Sequence, residues 1–440
     1  MKNGIALLEK FTRPHRGNQP GVSWGEVYME DIRSQLILPK VFQESVSALL
    51  DHTGNLYQIS EIDKGNGRKR VIEAPIDTQS LPLKEVQKII HRTLCPLDNG
   101  KSSHGFRPFQ SAYTGIVKMA HIMEQKENTE GIQSVYSLDV QNFFPSITDD
   151  MIRKEVWILL TRLLVTYKKW PKITKNELES LIDIIIEICS YEWRLPQGAP
   201  SSPVLANIVT NRIDERIRHA VEDIMWLQGK STYGRYADDL VLMSWTHLSQ
   251  SQRKMIRQII NDFWLSIANE KTIYEENKGS YNIWWVEVIN GKHKNNSPHI
   301  TFRISPERDK EYAATILEIS DQIQSGKLSD SSDLQNALNK ITGMLGFSYH
   351  ISTLWDGERI IAKIKSGKKR YFLSDRCEHA WGIFLMNHEN ILHLNCRKWF
   401  TGTDFLEDSS AYFRYKSKTR RWKYGWDRDF SGFKEEANSV

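Results

Sequence analysis

Cysteine is scarce: four occur in 440 residues, at Cys95, Cys189, Cys377 and Cys396. Residues so few and so scattered cannot build a disulfide framework. Long apolar runs are also lacking. None approaches the ~18–20 uninterrupted apolar residues of a membrane span; the most apolar stretch, Leu181–Cys189, is broken by Asp183 and Glu187. The opening residues, MKNGIALLEKFTRPH, hold too short an apolar core for a signal peptide. Cytoplasmic residence without a membrane partner is the default expectation. Charge of one sign is nearly absent too. Lys plus Arg number 59 against 54 Asp plus Glu, a net +5 that permits a nucleic-acid partner without demanding one. No internal repeat and no low-complexity tract is visible, which excludes a repeat array.

What is present is apolar and aromatic material for a core. Hydrophobic residues make up 40%, with 14 Trp, 16 Tyr and 16 Phe, so wholesale disorder is excluded. At roughly 100–200 residues per domain, the length allows two to four compact units or one multi-lobed enzyme. The spacing predicts helix around Val41–Leu50, a hairpin over 56–76 turning at Gly65-Asn66-Gly67, and helix over 81–95. A strand is expected over 134–140, helix over 151–193 broken near Pro171, and a long helix over 201–227. Two short strands around a tight turn follow at 232–243, helix at 252–268, and strands over 281–304 with a turn at Asn290–Gly291. After Pro306 the pattern is helical to about Leu345, with a soft boundary near 305. Helices alternating with a few short strands argue an α+β core with helical additions.

Three carboxylates stand out by position. Asp139 ends an apolar strand, and Asp238 and Asp239 sit together inside a hairpin with apolar strands. Burial and mutual repulsion both oppose ionisation of adjacent carboxylates. A pair of divalent cations offsets that cost. Mg²⁺ accepts hard oxygen ligands and keeps room for water and phosphate oxygens, and two such ions suit in-line displacement at phosphorus. An isolated Asp-Asp pair would more often be a polar turn; the surroundings decide against that.

Tyr236-Ala237-Asp238-Asp239, preceded by Gly234-Arg235 and followed by Leu240-Val241-Leu242, resembles the Y-x-D-D hairpin of reverse transcriptases. His104-Gly105-Phe106-Arg107 resembles the finger motif of bacterial members. Ser137-Leu138-Asp139-Val140 with Phe143-Phe144-Pro145-Ser146-Ile147 resembles the first palm motif, and Leu195 to Pro203, LPQGAPSSP, the second. Asn269-Glu270-Lys271-Thr272 resembles the N-x-K-T motif that follows. Five motifs in order, over about residues 60–300, identify the chain as similar to the retron, abortive-infection and defence-associated branch of bacterial reverse transcriptases. Trp284-Trp285-Val286-Glu287-Val288-Ile289-Asn290-Gly291 stands where retron enzymes carry V-T-G, and no N-A-x-x-H element lies between His104 and Asp139.

The resemblance implies a right-hand polymerase: an N-terminal extension over 1–55, fingers over 56–130, palm over 131–304 with a helical insertion at 151–193, a thumb-like region over 305–350, and a C-terminal extension over 351–440. It implies Asp139 and Asp238 as principal metal ligands, Asp239 completing the acidic cluster, and the Val140 carbonyl as a further ligand. Two Mg²⁺ ions, with Mn²⁺ as the alternative, and dNTP substrates follow. Phe144 matches the bulky position under the sugar, with Phe143 as the neighbouring alternative. Gln197 is expected at nucleotide or template, Arg70 at the triphosphate with Lys64 or Arg68 assisting, Lys271 as general acid, Tyr236 under the primer terminus, and Arg107 in finger support or template contact.

The segment 412–428, YFRYKSKTRRWKYGWDR, interleaves cations with aromatic rings. Arg414, Lys416, Arg420, Arg421, Trp422 and Lys423 are its candidate RNA contacts, since cations pair with phosphates and rings stack on unpaired bases. Cys377, His379, His393 and Cys396 could offer zinc ligands, although their spacing is unusual. The expected activity is RNA-directed DNA synthesis on an RNA template, a dedicated structured non-coding RNA, giving a DNA product in phage defence. Template-independent or protein-primed synthesis on the same palm, a non-enzymatic RNA-binding scaffold, and a retron or group II intron-type enzyme are the alternatives. The oligomeric state is not readable.

Overall fold

The computed structural model describes residues 2–12, 38–63, 69–98, 100–107, 112–123, 131–166, 173–224, 230–292 and 298–328, with scattered positions between 332 and 387. They fall into two compact units that divide at Ser305–Pro306.

The first unit opens with α1 (Lys2–Thr12) and α2 (Pro39–Leu50). An antiparallel hairpin follows, β1 (Tyr57–Asp63) with β2 (Lys69–Pro75), registered Tyr57 to Pro75 and Asp63 to Lys69. Then come α3 (Leu83–Leu94), α4 (Ala112–Met123), β3 (Ser134–Asp139), α5 (Asp149–Thr166), α6 (Lys175–Cys189) and α7 (Ser202–His219). α6 starts on a capping box in which Thr174 and Glu177 satisfy each other's backbone N–H groups. α7 runs into a wider π turn, Ala220–Ile224.

β4 (Ser231–Tyr236) and β5 (Asp239–Ser244) form the second hairpin, followed by α8 (Gln250–Asn261), β6 (Ile273–Glu276), β7 (Ser280–Ile283), β8 (Val286–Lys292) and β9 (Pro298–Ile304). The main sheet has the order β4-β5-β3-β6, every pair antiparallel, and β7-β8-β9 form a separate antiparallel meander. β3 lies inside the main sheet, and its residues are buried on both faces apart from Ser137. α5, α6 and α7 pack together and their apolar faces join the sheet in one core that includes Ile90, Leu138, Ile147, Leu205 and Leu240, while α4 packs on β4.

Two expectations are corrected. The helix expected over 252–268 ends at Asn261. Trp264 takes a positive φ of 61° and donates its N–H to Asn261 O, after which Leu265 and Ile267 alternate inward and Ile267 bridges Val140. An apolar period of two, not 3.6, governs that stretch. The turn expected at Asn290–Gly291 lies instead at Trp284–Trp285, where Ile283 faces Val286 and both Trp residues have positive φ (47° and 67°), the pattern of a type I′ hairpin loop. Asn290 stays within β8; its amide accepts from Ile132 N and donates to Ile132 O, extending a ladder by side chain.

The second unit begins with α9 (Pro306–Gln324), which has Pro at its start and Glu307 and Asp309 in its first turn, where the helix dipole favours them. Ile316 and Ile319 of α9 pack with Leu338, Ile341, Met344, Ala380 and Phe384 in a core of their own. Among the described residues, no helix is long and apolar enough to cross a membrane.

Candidate active site

Strand register brings the carboxylates together. Asp139, the last residue of β3, lies directly opposite Asp239, the first of β5, while Asp239 also faces Tyr236 across the hairpin. Ala237 and Asp238 are the two loop residues, and Ala237 has a positive φ of 57°. Positive φ at the first loop residue alone is the type II′ pattern, which glycine usually fills. Val140 N donates to Asp238 O at 2.9 Å, which ties the loop to the exit of β3. Gly105 backs the loop closely: a Cβ there would lie 2.8 Å from Ala237 N.

The electrostatics follow from crowding. Burial raises the Asp238 pKa, and the Asp139 charge adds to this against Lys271 and Arg70. Burial, with the charges of Asp238 and Asp139, pushes Asp239 up to about 7. Lys271, in the turn Asn269–Lys271, donates to both Asp139 oxygens at 2.9 and 2.8 Å. Burial opposes its charge, but the hydrogen bond and the charges of Asp139, Asp238 and Asp239 outweigh this and raise its pKa.

The hairpin β1–β2 is tied through β2 to the Arg194–Gln197 segment. Glu73, 4% exposed, accepts from Arg194 Nη1 and Nη2 at 2.9 and 2.6 Å and from Gln197 N at 3.0 Å, while Glu73 N donates to Gln197 O at 2.8 Å. With the Gln197 carboxamide turned so that both its ends are satisfied, its nitrogen donates to Val71 O and its oxygen accepts from Arg70 Nε, each at 3.3 Å. Gly198 beside it has a φ of 125° and presses on Ile72. Arg70 and Gln197, far apart in sequence, thus meet, and Arg70 is near enough to act on the Asp238 charge.

Aromatic residues line the rest. Phe143 is buried in the core, while Phe144 is partly exposed against it at 5.3 Å between ring centroids. Phe106 also contacts Phe144, with ring centroids 5.9 Å apart. Tyr236 lies 5.9 Å from Trp284 and 6.0 Å from Trp285. The Trp284 indole reaches over two glycines: Cβ atoms at Gly115 and Gly234 would lie 2.9 and 3.1 Å from its ring.

Arg107 makes the internal contacts that the finger-support reading of it expects. Its Nε donates to Asp98 Oδ2 at 2.7 Å, and Nη1 and Nη2 engage Gly100 O and Asp98, which fixes the guanidinium to the preceding loop. Lys64 and Arg68, the RNA-contact candidates Arg414, Lys416, Arg420, Arg421, Trp422 and Lys423, and Cys377, His379, His393 and Cys396 lie outside the described residues.

The residues that sequence reading missed sit behind the loop. Arg235, 1% exposed, is bound by Asp214 on α7, and Asn207 of the same helix links Ser103, Gly105 and Arg235. Arg235 adjoins the quoted motif, but nothing in the spacing pointed to Asp214 as its partner. Among the described residues, no three His, Cys, Asp or Glu side chains close on one point as a protein-only metal cage would. The carboxylates of Asp139, Asp238 and Asp239 nevertheless lie near enough around β3 and the hairpin loop to act on one another's charge, a set of hard oxygen donors. That set fits Mg²⁺, which takes few protein ligands and completes its shell with water and phosphate oxygens.

A family profile described as "Reverse transcriptase (RNA-dependent DNA polymerase)" matches residues 62–283, just over half of the 440. The chain is 27% identical over 240 residues to the Retron Ec86 reverse transcriptase of Escherichia coli, covering 54% of this chain and 62% of that protein. It is 25% identical over 325 residues to the Retron Ec83 reverse transcriptase of the same species, covering 71% and 89%. It is 28% identical over 261 residues to the Retron Mx162 reverse transcriptase of Myxococcus xanthus, covering 56% and 47%. Two of these three relatives are therefore matched over less than two thirds of their length. Apo telomerase from Candida tropicalis superposes with a TM-score of 0.45 at 11% identity over 83% of this chain and 64% of that one. The missing N-A-x-x-H element does not separate the chain from retron relatives, and the α+β, right-hand polymerase fold expected from the motifs is the one observed. The chain belongs to the reverse transcriptase family.

Proposed function

We propose that this protein is an RNA-directed DNA polymerase. The 3′-hydroxyl oxygen of a growing DNA strand attacks the α-phosphorus of a dNTP, the new P–O bond forms as the α–β bridging bond breaks, and pyrophosphate leaves. The observation that carries the reading is the direct cross-strand pairing of Asp139 with Asp239 beside a loop that presents Asp238. Two divalent ions, Mg²⁺ with Mn²⁺ as the alternative, would supply charge neutralisation and acidification of the 3′-hydroxyl when held there.

The chain's own groups take the remaining tasks. Asp139, Asp238 and the Val140 carbonyl would hold the ions, and Asp239 adds negative charge. Lys271, poised on Asp139 with a raised pKa, carries a proton suited to the leaving pyrophosphate. Arg70, reached by Gln197, faces the triphosphate from the β1–β2 side. Phe144 stands under the sugar and excludes a 2′-hydroxyl, while Tyr236, braced by Trp284 and Trp285, supports the primer end. In these terms the residues over 56–130 are the fingers, 131–304 the palm and 305–350 the thumb.

The template is RNA. The retron reverse transcriptases among the relatives favour a dedicated structured non-coding RNA, with the basic and aromatic segment over 412–428 as its holder and phage defence in the cytoplasm as the setting. Labelled dNTP incorporation with and without RNA template is the test. Asp238→Ala with Asp239→Ala is expected to abolish incorporation while RNA binding persists. Undiminished synthesis by that variant would overturn the assignment, and synthesis without template would redirect it to untemplated chemistry.

A further inference from the structure

We infer that Phe106 is a specificity-determining positioning residue: it holds the Phe144 ring rigid so that the pocket rejects ribonucleotides. The inference rests on the proposed place of Phe144 under the sugar.

Phe106 is unusual in two independent ways. Its φ is 60°, a conformation that glycine or asparagine adopts far more readily than a bulky aromatic. The residue is also 38% exposed, so burial in a core does not explain the choice. Neither the backbone nor the core selects phenylalanine here, and strained residues of this kind gather at functional sites.

Its neighbours on both sides are anchored. His104 N donates to Arg235 O at 2.8 Å, and Gly105 O accepts from the buried Asn207 amide at 2.9 Å. Gly105 abuts the backbone of the Ala237–Asp238 loop. On the far side, Arg107 is pinned to Asp98 and Gly100. The backbone at Phe106 is therefore fixed relative to the carboxylate loop, and its side chain is what projects.

That side chain meets Phe144. The ring centroids are 5.9 Å apart at 50°, while Phe143 supports Phe144 from within at 5.3 Å and 64°. Phe144 thus contacts both a core ring and an anchored surface ring. A steric gate discriminates by clash only if it cannot swing aside when a 2′-hydroxyl arrives. Phe143, buried, and Phe106, on a fixed backbone, each restrict the rotation of the ring they touch. Phe106 acts through Phe144, without itself touching the reacting atoms.

The experiment measures kcat and KM for single-nucleotide addition of dGTP and of GTP, with a DNA primer on an RNA template. Phe144→Ala is expected to lower the deoxyribonucleotide preference by about tenfold or more, the size of one well-placed steric contact. Phe106→Ala is expected to lower it by about fivefold or more, chiefly through a lower KM for GTP, with Phe106→Tyr restoring it. Phe106→Asn removes the ring but suits the positive φ, so it gives the same readout should the alanine variant fold poorly. The variant lacking both rings is expected to match Phe144→Ala alone, because one group acts through the other. If Phe144→Ala relaxes the preference while Phe106→Asn, with an unchanged melting temperature, leaves it intact, the Phe106 role is overturned and the Phe144 role stands. Additive effects in the double variant would also overturn it. If Phe144→Ala itself leaves the preference unchanged, the reading of Phe144 falls, and this inference with it.

Discussion

Arg235 donates from Nη1 to the carbonyl oxygen of Ala237 at 3.1 Å, while Asp214 on α7 accepts from its Nε and Nη2 at 3.0 and 2.9 Å. Tyr233 donates a further hydrogen bond to Asp214 Oδ1 at 2.7 Å. Arg235 and Asp214 are 1% and 2% exposed. Burial opposes the Arg235 charge, but the Asp214 charge and hydrogen bonds outweigh it and keep the pKa raised. The pair thus reaches through the hairpin to the one loop residue with a reversed φ, and Asp238 is the next residue along. A helix of the core and the geometry of the carboxylate-bearing loop are joined at this point.

Breaking that pair is expected to do more than lower stability. Asp214→Asn leaves a buried guanidinium without its counter-charge, a loss of about 3–5 kcal/mol. Replacing both partners, Arg235→Met with Asp214→Leu, removes both buried charges and is expected to recover most of that stability. The double variant nevertheless lacks the donor to Ala237 O. Its Mn²⁺ binding, followed by electron paramagnetic resonance without nucleic acid, is expected to weaken about tenfold, an equilibrium change of about 1.4 kcal/mol. Thermal unfolding checks the first expectation, and wild-type Mn²⁺ affinity in the double variant would refute the second.

How far the sequence reaches is instructive. The carboxylate hairpin is legible because two short strands, the second an apolar run over Leu240–Met243, flank a two-residue loop and pair across it. The meander was misread because Asn290–Gly291 carries the stronger local turn signal. What decides it is tertiary: Trp284 fills the space that Gly115 and Gly234 leave open, and Asn290 is engaged by Ile132. Arg107 leaves finger support and template contact equally open in the sequence, because nothing there marks Asp98, nine residues earlier, as its partner. Asp214 gave no signal at all. It reads as one of several acids on a helix, and only the packing of α7 behind β4 distinguishes it from Glu215, which is exposed. Periodicity thus reports the elements, while the polar contacts between distant elements emerge only in three dimensions.

The link between the β1–β2 hairpin and the Gln197 loop is expected to govern nucleotide affinity. Glu73→Gln forfeits the paired charge on Arg194, a loss of about 2 kcal/mol for a charge-assisted contact of this kind. Gly198→Ala must adopt a φ of 125° and set its methyl 2.8 Å from Ile72 Cγ2. Its destabilisation is expected at about 2 kcal/mol or more. Both variants are expected to raise the KM for dNTP more than they lower kcat, because the contact positions Arg70 and Gln197 and leaves the carboxylates alone. Steady-state kinetics beside denaturant unfolding check this, and a pure kcat loss would count against it.

Partly buried His91 on α3 is expected to make the fold acid-sensitive. Burial lowers its pKa to about 4, with the Arg92 charge adding to this and a hydrogen bond with the Pro200 backbone opposing it. The unfolded chain, at the ordinary value of 6.5, then binds the proton more tightly than the native one. Its contribution to stability is complete above pH 6.5 and is lost as pH falls toward 4, amounting to about 3 kcal/mol at the acid end. His91→Gln is expected to flatten the melting-temperature profile over that window, while identical profiles for wild type and variant would exclude His91 as the cause.

Cation binding at the carboxylates is expected to compete with protons. With Asp239 pushed up to about 7 and Asp238 also raised, part of the cluster is protonated at neutral pH when no cation is bound. A divalent ion favours the ionised forms, so its binding releases protons, and its affinity increases as pH rises through this range. Calorimetric titration with Mn²⁺ at pH 6, 7 and 8, in buffers of differing ionisation enthalpy, is expected to show proton release shrinking as affinity increases. Lys271→Met removes the cation that already neutralises Asp139 and lowers the pKa values of Asp238 and Asp239. Their pKa values are then expected to rise further and the proton release at pH 8 to grow. Binding that is independent of pH across that interval would mean the three carboxylates do not share a field, and the cross-strand pairing of Asp139 with Asp239 would lose the electrostatic consequence assigned to it.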